Sequence, residues 1–466
     1  MRRTKIVCTL GPSSRGPHQI DRLIDCGMNV ARLNLSHGTH DEHAVAFGRV
    51  REEARRKGRP VGVLFDLAGP KVRVGRFPSG RVELVVGEVV ALVPGDDDTV
   101  GDARTIPVSY PTLGAEVRLG DPVLLADGML RLEVVEARPG ETRCLVVDGG
   151  ALGDHQGVHL PGGVRASGVS DKDLEDIAWG RDLGADFFAI SFVRSAEDVV
   201  RARAVAGDVP LIAKIERAHA VSALEQIADE ADGLMVARGD LGVELGPEKV
   251  PLVQKHAIEV ANERGKVVIV ATEMLESMKT SPRPTRAEAS DVANAVLDGA
   301  DALMLSGETA TGRYAAEAVA TMVRIIEEVE SSARYRARRD PPQLDLAIST
   351  NAIAHAAVVA QHAMRLGVIA VFSDSGATAR LLSDYRPDAR IAALTTRPEI
   401  CRRLALYWGV EPLISDRRED TDGMIAEAEA RLLAAGMVKP GDEIVLTMGV
   451  PVGASSNLLK IHRVGG

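Results

Sequence analysis

The sequence predicts a (β/α)8 TIM barrel with an inserted small β-barrel lid domain and a C-terminal open α/β domain. Three observations lead there. Short β-branched runs alternate with helical patterns from the start, which is the sign of a parallel sheet wrapped by helices. One gap between strands is far too long for a single crossover and reads as short strands broken by Gly, Pro and Asp turns. A basic, Pro-containing stretch then precedes a further alternation of helices and strands.

Eight barrel strands are expected at Lys5 to Leu10, Val30 to Leu35, Val61 to Leu67, Phe187 to Phe192, Leu211 to Glu216, Gly233 to Ala237, Val267 to Thr272 and Ala302 to Ser306. Helical patterns lie between most of them, for example His43 to Lys57, Asp171 to Leu183, Val250 to Arg264 and Glu288 to Leu297. A doubly wound sheet is the alternative. The lid strands are expected at Arg81 to Val86, Val89 to Leu92, Pro122 to Leu125, Leu130 to Ala137 and Thr142 to Val147. The run Asp96, Asp97, Asp98 within it reads as a solvated turn. After the linker around Arg334 to Arg339 come a helix at Thr350 to Leu366, a strand at Val368 to Phe372, a helix at Thr378 to Tyr385, a strand at Ile391 to Leu394, a helix at Glu399 to Trp408, and strands at Glu443 to Met448 and Leu458 to Val464. The expected domains are thus 1–73 with 166–333 for the barrel, 74–165 for the lid and 345–466 for the last unit.

Composition narrows the function. A net charge of −10 over 466 residues argues against general nucleic-acid binding, so an anionic ligand must meet a locally basic pocket. The four cysteines are scattered without a CxxC pair, which points away from a disulfide framework and a structural zinc site and toward a reducing compartment. No apolar run reaches membrane-spanning length, and a cytoplasmic protein is expected.

In such a barrel, chemistry belongs at the carboxyl ends of the strands. Strand two ends in Arg32, Asn34 and Ser36 on one face, then His37. Strand three ends in Asp66, followed by Gly69, Pro70, Lys71 and Arg73. Strand five ends in Lys214 and Glu216, strand six in Arg238, Gly239 and Asp240, strand seven in Thr272 and Glu273, and strand eight in Ser306 and Glu308. Six strands emptying polar groups at one rim imply a shared site rather than six unrelated ion pairs. Glu216 and Asp240 can supply the one or two carboxylates that Mg²⁺ takes from protein, and Lys214, Arg32 and Arg73 are the cations that phosphoryl transfer needs. Gly239 lets backbone approach a small carboxylate, and the Thr272 hydroxyl could bind it or relay a proton.

These residues resemble the pyruvate kinase family. The matching stretches are Arg3 to Ser13, Asn29 to Gly38, Ala213 to Glu216, Met235 to Glu244, Ala271 to Met278 and Met304 to Ala310, in order and spacing, and the likeness covers nearly the whole chain. The resemblance implies phosphoryl transfer from phosphoenolpyruvate to ADP, giving ATP and pyruvate in the last step of glycolysis, with Mg²⁺ or Mn²⁺ on Glu216 and Asp240. It implies that Lys214 stabilises the migrating phosphoryl group and that Gly239, Asp240 and Thr272 receive the substrate carboxylate. Arg32 and Arg73 would contact phosphates, Asn34 and His37 would serve the nucleotide side, and Asp127 of the lid would swing over the site. A homotetramer is implied as well.

Four departures from the family pattern bear on function. Many members bind K⁺ near the positions of Asn34, Ser36, Asp66 and Leu67 and carry glutamate where this chain has Lys71; lysine there goes with K⁺ independence, its ammonium supplying the missing charge. Gln156 and His159 stand where the family often has Lys and Asn, which puts nucleotide preference in doubt. Glu42 replaces an aromatic and fits a capping box with Thr39; the same helix start explains His37, His40 and His43 without a metal. Ser373, Ser375, Gly376 and Thr378 form an anion nest resembling the family's sugar-phosphate effector site, although Asp374 and Ala377 replace basic residues there and the loop Val452 to Asn457 looks short. A phosphorylated effector or a plain helix cap both fit. Two rival readings remain at this stage: another enolate-forming barrel enzyme, and a catalytically dead metabolite-binding regulator.

Overall fold

The computed structural model describes residues 2–126, 128–160, 168–336 and 348–465. Its centre is a closed parallel barrel of eight strands: Lys5–Thr9, Val30–Asn34, Gly62–Asp66, Phe187–Ile190, Leu211–Ile215, Gly233–Ala237, Val267–Ala271 and Ala302–Leu305. Each strand pairs with its neighbours in sequence order and the first closes on the last, Lys5 opposite Ala302. The strand residues are almost all buried, as helices outside and side chains inside demand of a parallel sheet. That burial explains why the strands were legible as apolar runs. The observed spans stop one or two residues short of most expected ones, where the chain leaves the sheet for the loops of the carboxyl rim.

Helices start where caps require. Thr39 caps His40–Arg56 in a full capping box with Glu42, so the helix begins three residues before its expected start. Ser170 with Asp173 and Thr285 with Glu288 do the same for Asp171–Leu183 and Arg286–Asp298.

The lid, expected as a small β-barrel, consists of a six-stranded sheet and a two-stranded ribbon around one apolar core. Thr105–Val108 and Gly150–Gly153 are additional strands there. The last unit is a five-stranded sheet whose outer strands are Val410–Ile414 and the antiparallel Leu458–Arg463. Val410–Ile414 and the helix Thr421–Ala434 are absent from the sequence reading. Pro107 and Pro412 hid two of these strands; both strands lie at sheet edges, where a missing N–H costs little. The expected joints at 165–166 and 345 lie outside the described residues.

The amino ends of the barrel strands carry a fourfold device. The residue before every second strand accepts the N–H of a neighbouring strand: Asn29 from Ile6 (3.0 Å), Asp186 from Val63 (2.8 Å), Asp232 from Leu211 (2.8 Å) and Asp301 from Val268 (2.8 Å). Each also holds an arginine: Arg2, Arg51, Arg203 and Arg386 respectively. Arg402 is a second cation on Asp186 at 2.9 Å. Arg386 and Arg402 come from the C-terminal α/β unit, so this end of the barrel is also its docking face.

Candidate active site

At the opposite rim the polar strand ends converge. Asn34 and Asp66 sit side by side in register, as do Asp66 and Ala189. Asp66 is fully buried and takes Arg32 Nε at 2.6 Å, while Arg32 Nη1 reaches Thr9 Oγ1 at 2.8 Å. Lys214 Nζ lies 2.8 Å from Glu216 Oε1, 2.8 Å from Ser191 Oγ and 3.3 Å from Asp66 Oδ1. Thr9 and Ser191, at the ends of strands one and four, were missed in the sequence. Each is one hydroxyl after an apolar run, with no charge to mark it.

The electrostatics separate the members of this cluster. Burial alone would raise Asp66, but Arg32 and Lys214 outweigh it and hold the carboxyl below its usual value. Burial would likewise lower Lys214, yet Asp66 and Glu216 win and strengthen its hold on the proton. Glu216 moves the other way from Asp66: burial raises it, Lys214 opposes, and the neighbouring Asp240 adds to the rise. The asymmetry has a plain cause. Lys214 lies between two carboxylates and Asp66 between two cations, whereas Glu216 has one cation and faces a second carboxylate.

Glu216 Oε2 accepts the Phe192 N–H at 2.7 Å, and Phe192 adopts a left-handed φ of +56° there. Glu216 Oε1 is buried and, although close to Lys214, takes no hydrogen bond of proper direction. A narrow cleft of about 20 Å³ opens beside it, lined among others by Lys71, His159, Phe192 and Asp240. Glu216 and Asp240, two of the carboxylates lining a cleft that admits a single water-sized group, fit a hard divalent cation. Among the described residues no group of three or more His, Cys, Asp or Glu forms a metal cluster, so any such ion would take its other ligands from substrate and water.

Beside this cluster Gly239 N–H donates to Thr272 Oγ1 at 2.8 Å, and Thr272 Oγ1 donates to Ala271 O at 2.6 Å. Thr272 has φ of +68°, a costly conformation for a β-branched residue. It is held there by Arg238, whose Nη2 reaches Thr272 O at 2.7 Å while Nη1 pairs with Asp291 at 2.6 Å. Asn34 Oδ1 accepts the Ser36 N–H at 3.2 Å, and Leu67 O accepts Ser191 Oγ at 2.7 Å. His37 is exposed, and its pKa is lowered by partial burial and then by the charges of Arg73, Lys71 and Arg32. Those four groups therefore lie within electrostatic reach of one another at this rim.

Other expected residues lie apart. Glu308, from strand eight, is buried and accepts Leu275 N–H at 2.9 Å and Ser306 N–H at 2.7 Å, so it ties loops together. Glu273 is exposed. His40 stacks on Trp179 and bonds Asp176 at 2.7 Å, and His43 bonds His37 O at 2.8 Å, which agrees with a helix start rather than a metal triad. Gln156 Oε1 accepts Gly153 N–H within the lid at 3.0 Å. Asp127 lies outside the described residues. In the C-terminal unit Ser373, Ser375 and Thr378 line a cavity of about 240 Å³ with Arg417 and Arg418, and Gly376 caps the helix Ala377–Asp384 with φ of +78°. Thr378 Oγ1 contacts Ser456 Oγ at 2.8 Å, and Asp374 bonds Thr396.

A (β/α)8 barrel whose carboxyl rim gathers a buried lysine, an arginine and two cleft-facing carboxylates defines an enzyme that works on a small anionic substrate. Comparison with known proteins gives the particular family. The model described as pyruvate kinase, barrel domain, matches residues 1–319, and that described as pyruvate kinase, alpha/beta domain, matches 351–462. A pyruvate kinase of Geobacillus stearothermophilus is 45% identical over 99% of this chain and 80% of its own length. One of Mycobacterium tuberculosis is 44% identical over 100% of this chain and 99% of its own. The crystal structure of a pyruvate kinase from Cryptosporidium parvum superposes with a TM-score of 0.91 at 37% identity, covering 99% of this chain and 96% of that one. The chain belongs to the pyruvate kinase family and is a phosphotransferase; the family implies phosphoenolpyruvate and ADP as substrates and pyruvate as product.

Proposed function

We propose that this enzyme moves the phosphoryl group of phosphoenolpyruvate to ADP with a divalent cation, Mg²⁺ or Mn²⁺, on Glu216 and Asp240, and that it needs no K⁺. The observation that carries the reading is the placement of the Lys214 ammonium between Asp66, Ser191 and Glu216, with Glu216 and Asp240 both lining the cleft. When bound, the cation would act as a Lewis acid on phosphoryl oxygens.

The chain's own groups do the rest. Lys214, a cation held beside Asp66 and Glu216, stabilises charge on the transferring group and the enolate oxygen. Arg32, fixed by Asp66 and Thr9, offers charge to the phosphoryl group, and Arg73 with Asn34 and His37 serves the nucleotide. The Gly239 and Asp240 backbone with Thr272 receives the carboxylate. Closure of the lid, with Asp127, excludes water from the transfer.

Independence from K⁺ rests on two supports. The acceptors of the monovalent-cation region already serve the chain's own donors: Asn34 takes Ser36, Leu67 O takes Ser191, and Asp66 takes Arg32 and Lys214. Lys71 adds a fixed charge at the mouth, exposed and near enough to bias His37. The cavity at Ser373, Ser375 and Thr378, where Arg417 and Arg418 stand beside Asp374 and Asp416, is the place a phosphorylated effector would occupy. A cytoplasmic homotetramer is proposed on family resemblance alone.

One coupled assay with phosphoenolpyruvate, ADP and Mg²⁺, run with and without K⁺, tests the reading. Pyruvate release should require ADP and the divalent ion and stay level when K⁺ is added. A many-fold rise with K⁺ would sink the role of Lys71, and release without ADP would favour another enolate-forming reaction.

A further inference from the structure

We infer that Ser191 is a positioning residue for Lys214: its hydroxyl sets the direction of the ammonium at the reacting phosphoryl group. This rests on the role of Lys214 given above. Ser191 follows the strand Phe187–Ile190, is 3% exposed, and links three adjacent strand ends. Its Oγ donates to Leu67 O at 2.7 Å, lies 3.3 Å from Asp66 Oδ1 and accepts from Lys214 Nζ at 2.8 Å.

The need for such a residue comes from the lysine itself. A four-carbon stem ending in a point charge has no preferred direction of its own, and carboxylates attract it without fixing an angle. Both of its carboxylates are also engaged elsewhere. Asp66 lies farther off and is held by Arg32 at 2.6 Å, and Glu216 is the group assigned to the metal. Ser191 differs. Its single proton is committed to the Leu67 carbonyl, so a lone pair faces Lys214 whatever charge occupies the cleft. The Leu67 carbonyl is backbone of strand three's end, which makes the anchor rigid.

The test uses the full-length enzyme with Ser191→Ala, the size-matched Ser191→Cys, and Lys214→Met as reference. In both Ser191 variants kcat should fall about tenfold to a hundredfold, the scale set by misplacing a catalytic group by an ångström, with the KM for ADP unchanged. The melting temperature should stay near native in Ser191→Cys, and Lys214 should react faster with an amine-directed reagent in the metal-free protein, read by peptide mass spectrometry. Native kcat and native Lys214 reactivity in the Ser191 variants, with Lys214→Met inactive, would overturn this inference alone. Turnover by Lys214→Met would overturn the role of both residues.

Discussion

At one end of the barrel Asp66, Glu216, Lys214 and Arg32 crowd together, with the cleft and a strained Thr272 beside them. At the other end Asp186, Asp232 and Asp301 each close on a backbone N–H and an arginine, as the amide of Asn29 does. Acidic and basic side chains pair at both ends. What differs is the partner: the amino-end side chains bond backbone N–H groups of neighbouring strands, while the carboxyl-end groups bond chiefly one another around a cleft. Variants at the first rim should therefore change turnover with little change in stability, and variants at the second should do the reverse.

The largest effect is expected from Lys214→Met, which should lower kcat by about 10³-fold or more while circular dichroism stays native, since removal of one oxyanion donor alone costs about 10²–10³. Retained turnover would refute the role assigned to Lys214. Next comes Lys71→Glu, which should turn a K⁺-indifferent enzyme into one stimulated roughly tenfold or more by K⁺, as reversing one charge at short range is worth over 1 kcal/mol even in a screened site. Equal K⁺ response in native and variant proteins would show Lys71 to be a bystander.

At the amino end, Asp186→Ala leaves Arg51 and Arg402 unpaired and the Val63 N–H without a partner. Urea unfolding should show a loss of about 3–5 kcal/mol, the usual cost of breaking a buried pair, with kcat near native at low temperature. A large kcat loss with unchanged stability would erase the contrast between the rims. The smallest effect concerns Lys5, whose Nζ donates to Val410 O at 2.6 Å and whose pKa is pushed down to about 8 by burial, then by Arg2. Because the unfolded lysine still binds its proton up to about 10.5, unfolding takes up protons between these values. The native protein should thus gain stability relative to Lys5→Met as pH rises from 8 toward 10, and a flat difference would contradict the shift.

Much of the carboxyl rim was legible because strand runs end abruptly in charged residues, and alternation then assigns faces: Lys214 and Glu216, or Arg32 and Asn34, fall together by spacing alone. Ser191 and Thr9 were not, since a hydroxyl after an apolar run carries no local signal. Glu308 read as a site residue but serves backbone N–H groups of the loop at Leu275, a partnership 33 residues away in the chain. The amino-end device had a faint signature, an Asp or Asn just before every second strand, that makes sense only once those strands are known to lie side by side.

The sequence by itself determined the barrel, the lid insertion, the polar strand ends and the family, because each depends on short-range periodicity and spacing. Only the tertiary structure decided which carboxylates tie strands and units together and which line the cleft, since that depends on closing the first strand against the eighth and on docking arginines from a distant unit. Burial and neighbouring charge, which no local pattern encodes, are what separate Asp66 from Glu216.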